Sequence, residues 1–122
     1  CGGSVNMRDA AVYAGDKKWG TAIELWKQTY ATKKGKKKMQ AAYNLAVGYE
    51  MQDSIATALD WALKAQAEAR IVDGVDKKDL THLGKADLPY YVLTTLYVTE
   101  LEERKAGLSR LNMQMQRFND DF

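Results

Sequence analysis

The stretch from residue 41 to residue 65, AAYNLAVGYEMQDSIATALDWALKA, decides the fold. It places alanines at helical intervals among large apolar side chains, on both sides of the polar tripeptide at 52–54. Leucine at these alanine positions would bury more apolar surface. Small residues at this spacing therefore predict two antiparallel helices whose backbones approach closely, with a turn between them.

The first of these helices is predicted from Lys37 to Gln52. Its apolar stripe has the i, i+3, i+4, i+7 spacing of a helix face and consists of Ala42, Leu45, Ala46 and Tyr49. Asp53 or Ser54 is predicted to cap the second helix, which runs to about Val72 before Gly74. The stripe of the second helix consists of Ile55, Ala58, Leu59, Ala62, Ala65 and Ala69.

The segments on either side extend this helical pattern. After a Gly/Ser lead-in over 1–4, residues 5–14 predict a short helix that Gly15 ends. A second helix, capped by Asp16, places large and small apolar side chains at helical spacing: Trp19, Ala22, Ile23, Trp26 and Tyr30. Residues 73–86 predict a loop with one helical turn. A long terminal helix over 87–119 follows, with a break at Gly107 as the alternative.

Composition agrees with an all-α class and a single domain over 5–122. The chain has one Pro, and no segment alternates between apolar and polar residues as a strand would. The net charge is +2, with nine basic and six acidic side chains in residues 1–61 and nine and ten in residues 62–122. A general polyanion-binding surface is therefore not predicted. No apolar run is long enough to predict a transmembrane segment.

The order of small and large residues over 39–72 matches a known repeat. It runs Leu45 and Ala46, Tyr49, the turn at Asp53, Ala58 and Ala65. This pattern resembles the tetratricopeptide repeat, and a weaker partial unit over 5–31 repeats its aromatic and small positions. The resemblance implies antiparallel helix pairs in an α-α superhelix of five to six helices, with a long C-terminal helix that caps the core.

In tetratricopeptide proteins the first helix of each unit lines a concave groove that binds a peptide. Carried over by position, the resemblance implies a protein-binding groove formed by Gln40, Tyr43, Asn44, Val47, Glu50 and Met51, extended by Tyr90, Tyr91 and Thr94. The function so implied is a non-enzymatic scaffold for a protein or peptide partner. The three tyrosines have an alternative role, which is to cover a neighbouring repeat unit.

Three parts of the chain are together similar to the C-terminal region of uncharacterised envelope lipoproteins of gut bacteria. They are WGTAIELWKQ at 19–28, the stretch at 41–65 and the long final helix. This resemblance implies a piece of a larger protein in the bacterial envelope or periplasm, with a cytoplasmic location as the alternative. Cys1, the only cysteine, is a candidate for lipidation, and a boundary within a linker is the equal alternative.

The sequence holds no recognisable catalytic constellation. His82 is the only histidine and lies in the predicted loop, so we expect it to be solvated. The carboxylates at 76 and 79 and at 100–103 have the spacing of solvated helix and loop faces. No phosphate-binding or dinucleotide-binding glycine motif is present. We therefore expect no enzymatic activity, no cofactor and no metal site.

Two features support other functions. The loop between the second and third predicted helices is rich in lysine, with Lys33, Lys34, Lys36, Lys37 and Lys38. A solvated loop is the favoured interpretation because no aromatic residues are interleaved with these lysines, while nucleic acid, an anionic partner or lipid headgroups are alternatives. The final helix carries an apolar stripe at Leu108, Leu111, Met115 and Phe118, which either caps the repeat or associates with a second copy.

Overall fold

The computed structural model describes residues 19–78 and 87–121, with the side chains of the second segment as far as Leu108. These residues form four α-helices, with no β-strand among them, and a 3-10 helix at Val75–Lys77. The α-helices are α1 (Trp19–Thr32), α2 (Lys36–Met51), α3 (Ile55–Val72) and α4 (Pro89–Asp121). The predicted all-α class is confirmed. The predicted helix over 5–14 lies outside the described residues.

The alanines of the opening stretch are buried where helices pack together. Ala46 of α2 and Ala58 of α3 are both 0% exposed and belong to one cluster, to which α4 contributes Tyr97, Val98 and Leu101. Every residue of the stripe predicted for α3 is buried. Because alanine adds little bulk, the helix backbones can approach closely and the larger side chains fill the space beside them.

The first pair of helices, α1 and α2, packs around a second cluster. Ala22, Ile23 and Trp26 of α1 meet Leu45 of α2, and all four side chains are buried. α2 therefore packs against both α1 and α3, while α4 packs mainly against α3. Each helix packs against its neighbour in sequence, and the connections between α1, α2 and α3 are short.

The α2–α3 turn is stabilised by backbone hydrogen bonds. Asp53 has a φ of 60°, a left-handed conformation that Asp tolerates better than most residues. The backbone N–H of Asp53 donates to the Glu50 carbonyl at 2.9 Å, and that of Ser54 donates to the Tyr49 carbonyl at 2.9 Å. Ser54 holds the N-cap position of α3, one of the two capping residues predicted, but its side chain forms no capping hydrogen bond.

Helix α4 is continuous from Pro89 to Asp121, so the predicted alternative of a break at Gly107 is wrong. The start of α3, at Ile55, lies across a cleft of about 400 Å³ from Lys105 and Leu108. Residues 109–121 of α4 therefore continue past the start of α3, by about 20 Å at ~1.5 Å per residue. Among the described residues, no helix combines the length and the hydropathy needed to cross a membrane.

Candidate functional site

Helices α2 and α4 are linked by contacts among four side chains that we call the seam: Tyr43, Glu50, Tyr97 and Arg104. The Tyr97 hydroxyl donates a hydrogen bond to Glu50 Oε1 at 2.7 Å, and the Arg104 guanidinium forms an ion pair with Glu50 Oε2. The Tyr43 and Tyr97 rings pack with centroids 5.0 Å apart and ring planes at 44°. Two side chains of α4 thus bind one carboxylate of α2, which links the two helices.

The electrostatics of the seam keep both of its phenols neutral. Burial raises the pKa of Tyr97 well above its ordinary value, and the hydrogen bond to Glu50 raises it further. Burial also raises the pKa of Tyr43, with added contributions from the charges of Glu100 and Glu50. The seam therefore presents two uncharged hydroxyl groups and one carboxylate–guanidinium pair at neutral pH. Tyr97 is buried and hydrogen-bonded to Glu50, so the members of the seam that a ligand can reach are Tyr43 and the Glu50–Arg104 pair.

The predicted groove residues of α2 divide into two groups. Tyr43 and Glu50 belong to the seam, where they contact α4. Four other residues share one face of α2 at positions i, i+4, i+7 and i+11, and we call them the open face: Gln40, Asn44, Val47 and Met51. Met51 is 60% exposed and the other three are half-buried. The open face lies next to the seam and is accessible to a partner.

The predicted groove residues of α4 have different environments. Thr94 is only 1% exposed and its hydroxyl donates to the Tyr90 carbonyl at 2.8 Å, so the prediction that Thr94 lines a groove is wrong. Tyr91 is half-buried, and its backbone N–H donates to the Asp73 carboxylate at 2.7 Å. Tyr90 is half-buried with the Lys36 ammonium 5.1 Å from its ring centroid.

Other residues of α4 take the place of these three beside the open face. Leu93 and Glu100 are exposed, and they share one helical stripe with Tyr97 and Arg104 of the seam, at positions i, i+4, i+7 and i+11. Leu96, one turn before Glu100, is 65% exposed. These residues were not predicted from the sequence, although the helical spacing of Leu93 and Glu100 from Tyr97 indicates a shared face. The surface beside the seam thus consists of the open face on α2 and of Leu93, Leu96 and Glu100 on α4.

The lysine loop has aromatic neighbours that the sequence order conceals. The Lys38 ammonium lies 4.8 Å from the centroid of Tyr30 in α1, and Lys36 lies over Tyr90 in α4. Lys38 also approaches the Glu68 carboxylate of α3 at 3.8 Å. No aromatic residue is interleaved with these lysines along the sequence, but in the folded chain two tyrosine rings lie beside them. Three helices converge on the loop, and two of them supply a ring.

The cleft at the start of α3 was not predicted from sequence. It is lined by Asp53, Ser54, Ile55, Ala56, Thr57, Lys105 and Leu108.

No group of His, Cys, Asp and Glu in the described ranges is arranged to hold a metal ion. Cys1, His82 and the side chains of Leu111, Met115 and Phe118 lie outside the described part. Lipidation at Cys1 and an envelope location therefore stay predictions.

Comparison with known proteins gives one family. No curated protein and no solved structure matches this chain. The DUF6340 family, described as a domain of unknown function, matches residues 8–103. The matched range contains the whole of α1, α2 and α3, together with Leu93, Leu96 and Glu100 of α4. Since the match spans well over half of the sequence, the chain belongs to the DUF6340 family.

Proposed function

We propose that this domain is a non-enzymatic scaffold that binds a peptide or protein segment in the groove between α2 and α4. The observation that carries the proposal is the exposure of apolar side chains on both sides of a fixed seam. Met51 is 60% exposed on one side, and Leu93 and Leu96 are 47% and 65% exposed on the other. Apolar side chains exposed beside a rigid polar strip are typical of a surface that a partner covers.

The chemistry of the groove supports an extended or helical segment as the ligand. The amides of Gln40 and Asn44 each offer donors and an acceptor, which suits the backbone groups of a peptide. Val47 and Leu93 offer apolar contact, and Glu100 adds a negative charge near the seam. A partner would then be held by apolar anchors and oriented by hydrogen bonds, with no covalent step.

A displayed-peptide library selected on the whole chain tests this proposal. Selected peptides are measured against wild type, Val47→Asp and Leu93→Asp, because a carboxylate at either position would be buried under the ligand. We expect each variant to weaken binding at least tenfold, corresponding to about 1.4 kcal/mol. The matched control is Ala67→Asp, which adds the same charge at an exposed position of α3.

The controls make the outcome decisive. Circular dichroism and the unfolding midpoint must show that all three variants keep the helical fold. Peptides that lose affinity only for the Val47 and Leu93 variants support the groove. Equal affinity for all variants, or no selected peptide after repeated rounds, contradicts it.

A second candidate function is self-association through the end of α4. The observation that favours it is that residues 109–121 continue the helix past the start of α3. Leu111, Met115 and Phe118 are spaced along one helical stripe of that segment, and Leu108 at its base is 47% exposed. An apolar helical stripe that projects beyond its supporting helix can pack against the same stripe of a second copy.

Light scattering over a concentration series tests the second candidate. A dimer that Leu111→Asp dissociates, while Ser109→Asp leaves it intact, would support association through this stripe. The two substitutions add the same charge to the same helix but at positions about 160° apart, at ~100° per residue. A monomer at every concentration would contradict self-association and leave the groove as the only candidate of the two.

A further inference from the structure

The charges of this domain are separated along the helix axes. We call residues 33–38, 68–78 and 87–90 the basic end, which has eight basic and four acidic side chains. Residues 50–60 and 100–105 form the acidic end, with six acidic and two basic side chains. Antiparallel helices place the turns and helix starts of each group at the same end of the bundle. The small net charge of the whole chain therefore conceals two strongly charged ends.

Contacts between the elements confirm that the basic end is one surface. The Lys38 ammonium is 3.8 Å from the Glu68 carboxylate, which joins the start of α2 to the last turns of α3. The Lys36 ammonium lies 5.1 Å from the ring centroid of Tyr90, which joins α2 to the start of α4. Lys78 donates a hydrogen bond to the Asp87 carbonyl at 2.8 Å. These contacts connect every segment of the basic end.

Most of the negative charge at this end is neutralised locally. Arg70 pairs with Asp76, whose pKa it lowers by hydrogen bonding, and Lys38 approaches Glu68. The Asp73 carboxylate accepts a hydrogen bond from the backbone N–H of Tyr91. Among the described residues of the basic end, five lysines have side chains that form neither an ion pair nor a hydrogen bond: Lys33, Lys34, Lys36, Lys37 and Lys77. The basic end thus has an excess of unpaired ammonium groups.

We propose that the basic end docks on the surface of a membrane that contains anionic phospholipids. The unpaired cations are all lysines, which act as compact point charges suited to diffuse attraction by a charged layer. They lie on turns and helix ends, so they can meet a broad surface together. The cleft and the acidic residues lie at the opposite end, where they do not oppose the approach.

The neighbouring aromatic rings favour a membrane surface over single-stranded nucleic acid. Tyr30 packs edge to face on Trp61 at 5.1 Å, and the two rings also have Lys38 and Lys64 ammonium groups over them, at 4.8 and 4.2 Å. Rings that already pack against each other and against ammonium groups have less face open for a base to stack on. Electrostatic contact with phosphate groups remains available to the lysines without any change in the aromatic packing.

Vesicle co-sedimentation of the whole chain tests the proposal. The probes are phosphatidylcholine vesicles with and without about 30% phosphatidylglycerol, at low and moderate NaCl. We expect binding only to the anionic vesicles, and weaker binding at higher salt because the attraction is screened. A variant with Lys33, Lys34 and Lys37 all changed to Gln should lose about 100-fold in vesicle affinity, given the usual attraction per lysine.

A matched variant separates position from net charge. Changing Lys27, Lys64 and Lys105 to Gln removes three charges outside the basic end, and this protein should bind anionic vesicles within about threefold of wild type, because those lysines lie off the docking surface. Equal loss in both triple variants would overturn the proposal, as would equal binding to neutral vesicles. Tighter binding to a DNA duplex than to the anionic vesicles at the same salt would also overturn it and assign the surface to nucleic acid.

Discussion

Gly48 of α2 packs against the side chains of Trp26 and Ile23 in α1. A Cβ atom added there would be 3.2 Å from Cζ3 of Trp26 and 3.3 Å from Cγ1 of Ile23. Both neighbours are buried and cannot move outward easily. We therefore predict that Gly48→Leu destabilises the domain by about 1–3 kcal/mol through overpacking, although leucine is the better helix former. Urea unfolding followed by circular dichroism measures the change.

The same substitution at Gly20 is the control for this prediction. Apart from its chain neighbours and the backbone of its own helix, no heavy atom lies within 4 Å of a Cβ atom added at Gly20. Gly20→Leu should therefore change the free energy of unfolding by no more than about 0.5 kcal/mol, or increase it. Equal destabilisation by the two variants would mean that Gly48 is not sterically restricted.

Because the pKa of Tyr97 is raised in the folded state, we expect the domain to lose stability at alkaline pH. Burial and the hydrogen bond to Glu50 raise this pKa. The unfolded chain therefore loses this proton first, at its ordinary pKa of about 10, and unfolding becomes more favourable as the pH rises beyond that value. We predict that Tyr97→Phe flattens the fall in stability between about pH 9 and 11.

Urea midpoints at several pH values measure this effect. Removal of the hydroxyl also costs about 1 kcal/mol at neutral pH, because Glu50 loses one of its donors. The two consequences can be told apart, since the first changes the slope with pH and the second lowers the whole curve. Parallel curves for wild type and variant would show that Tyr97 does not cause the alkaline loss of stability.

Helix α4 starts with help from a residue outside it. Its first turn contains no acidic residue, and the Asp73 carboxylate at the end of α3 accepts the backbone N–H of Tyr91 at 2.7 Å. This contact satisfies a donor that a helix leaves unpaired at its start and places a negative charge at the positive end of the helix dipole. We predict that Asp73→Ala costs about 1–2 kcal/mol, the loss typical of a capping residue.

Asp76→Ala is the control variant, and thermal unfolding measures the loss of stability in both variants. Asp76 is exposed and pairs with Arg70 at the surface, so its removal should cost no more than about 1 kcal/mol. If Asp73→Ala proved no more destabilising than Asp76→Ala, Asp73 would not act as the cap of α4.

The helices were predictable because their stripes are regular and their ends carry clear signals. The sequence placed α3 between the turn at 52–54 and Gly74, and the structure has it at Ile55–Val72. Pro89 marked the start of α4 correctly. Gly107 did not break this helix, since one glycine costs only about 1 kcal/mol in a helix interior and the turns around it are helical.

The residues of the proposed groove were less predictable, because they depend on how α4 is rotated against α2. The tetratricopeptide resemblance predicted that Thr94 lines the groove, but Thr94 is buried. It did not predict a role for Tyr97, whose hydroxyl donates a hydrogen bond to Glu50. A rotation of one residue, about 100°, moves a side chain from groove to core. Local spacing cannot fix that angle, because the pairing of Glu50 with Tyr97 joins residues that are 47 positions apart.

The crowding of lysines at the basic end has a consequence for the stability of the whole domain. Like charges at this density repel one another in the folded state, and the repulsion extends about 30 Å at 0.01 M salt but only about 8 Å at 0.15 M. We predict that wild type gains a few tenths of a kcal/mol over this range of NaCl. The variant with Lys33, Lys34 and Lys37 changed to Gln should gain less. An identical salt response in the two proteins would show that these charges do not strain the fold.

The separation of charge between the two ends also gives the described helices an electric dipole moment directed along their axes. A torque acts on such a dipole in any external field, so the domain is turned before it makes contact with a charged object. Ion-exchange resins of either sign should consequently retain this nearly neutral chain, each by a different end. In a cell, the dipole would select one orientation at encounter, and the direction in which α4 points would be set from the start.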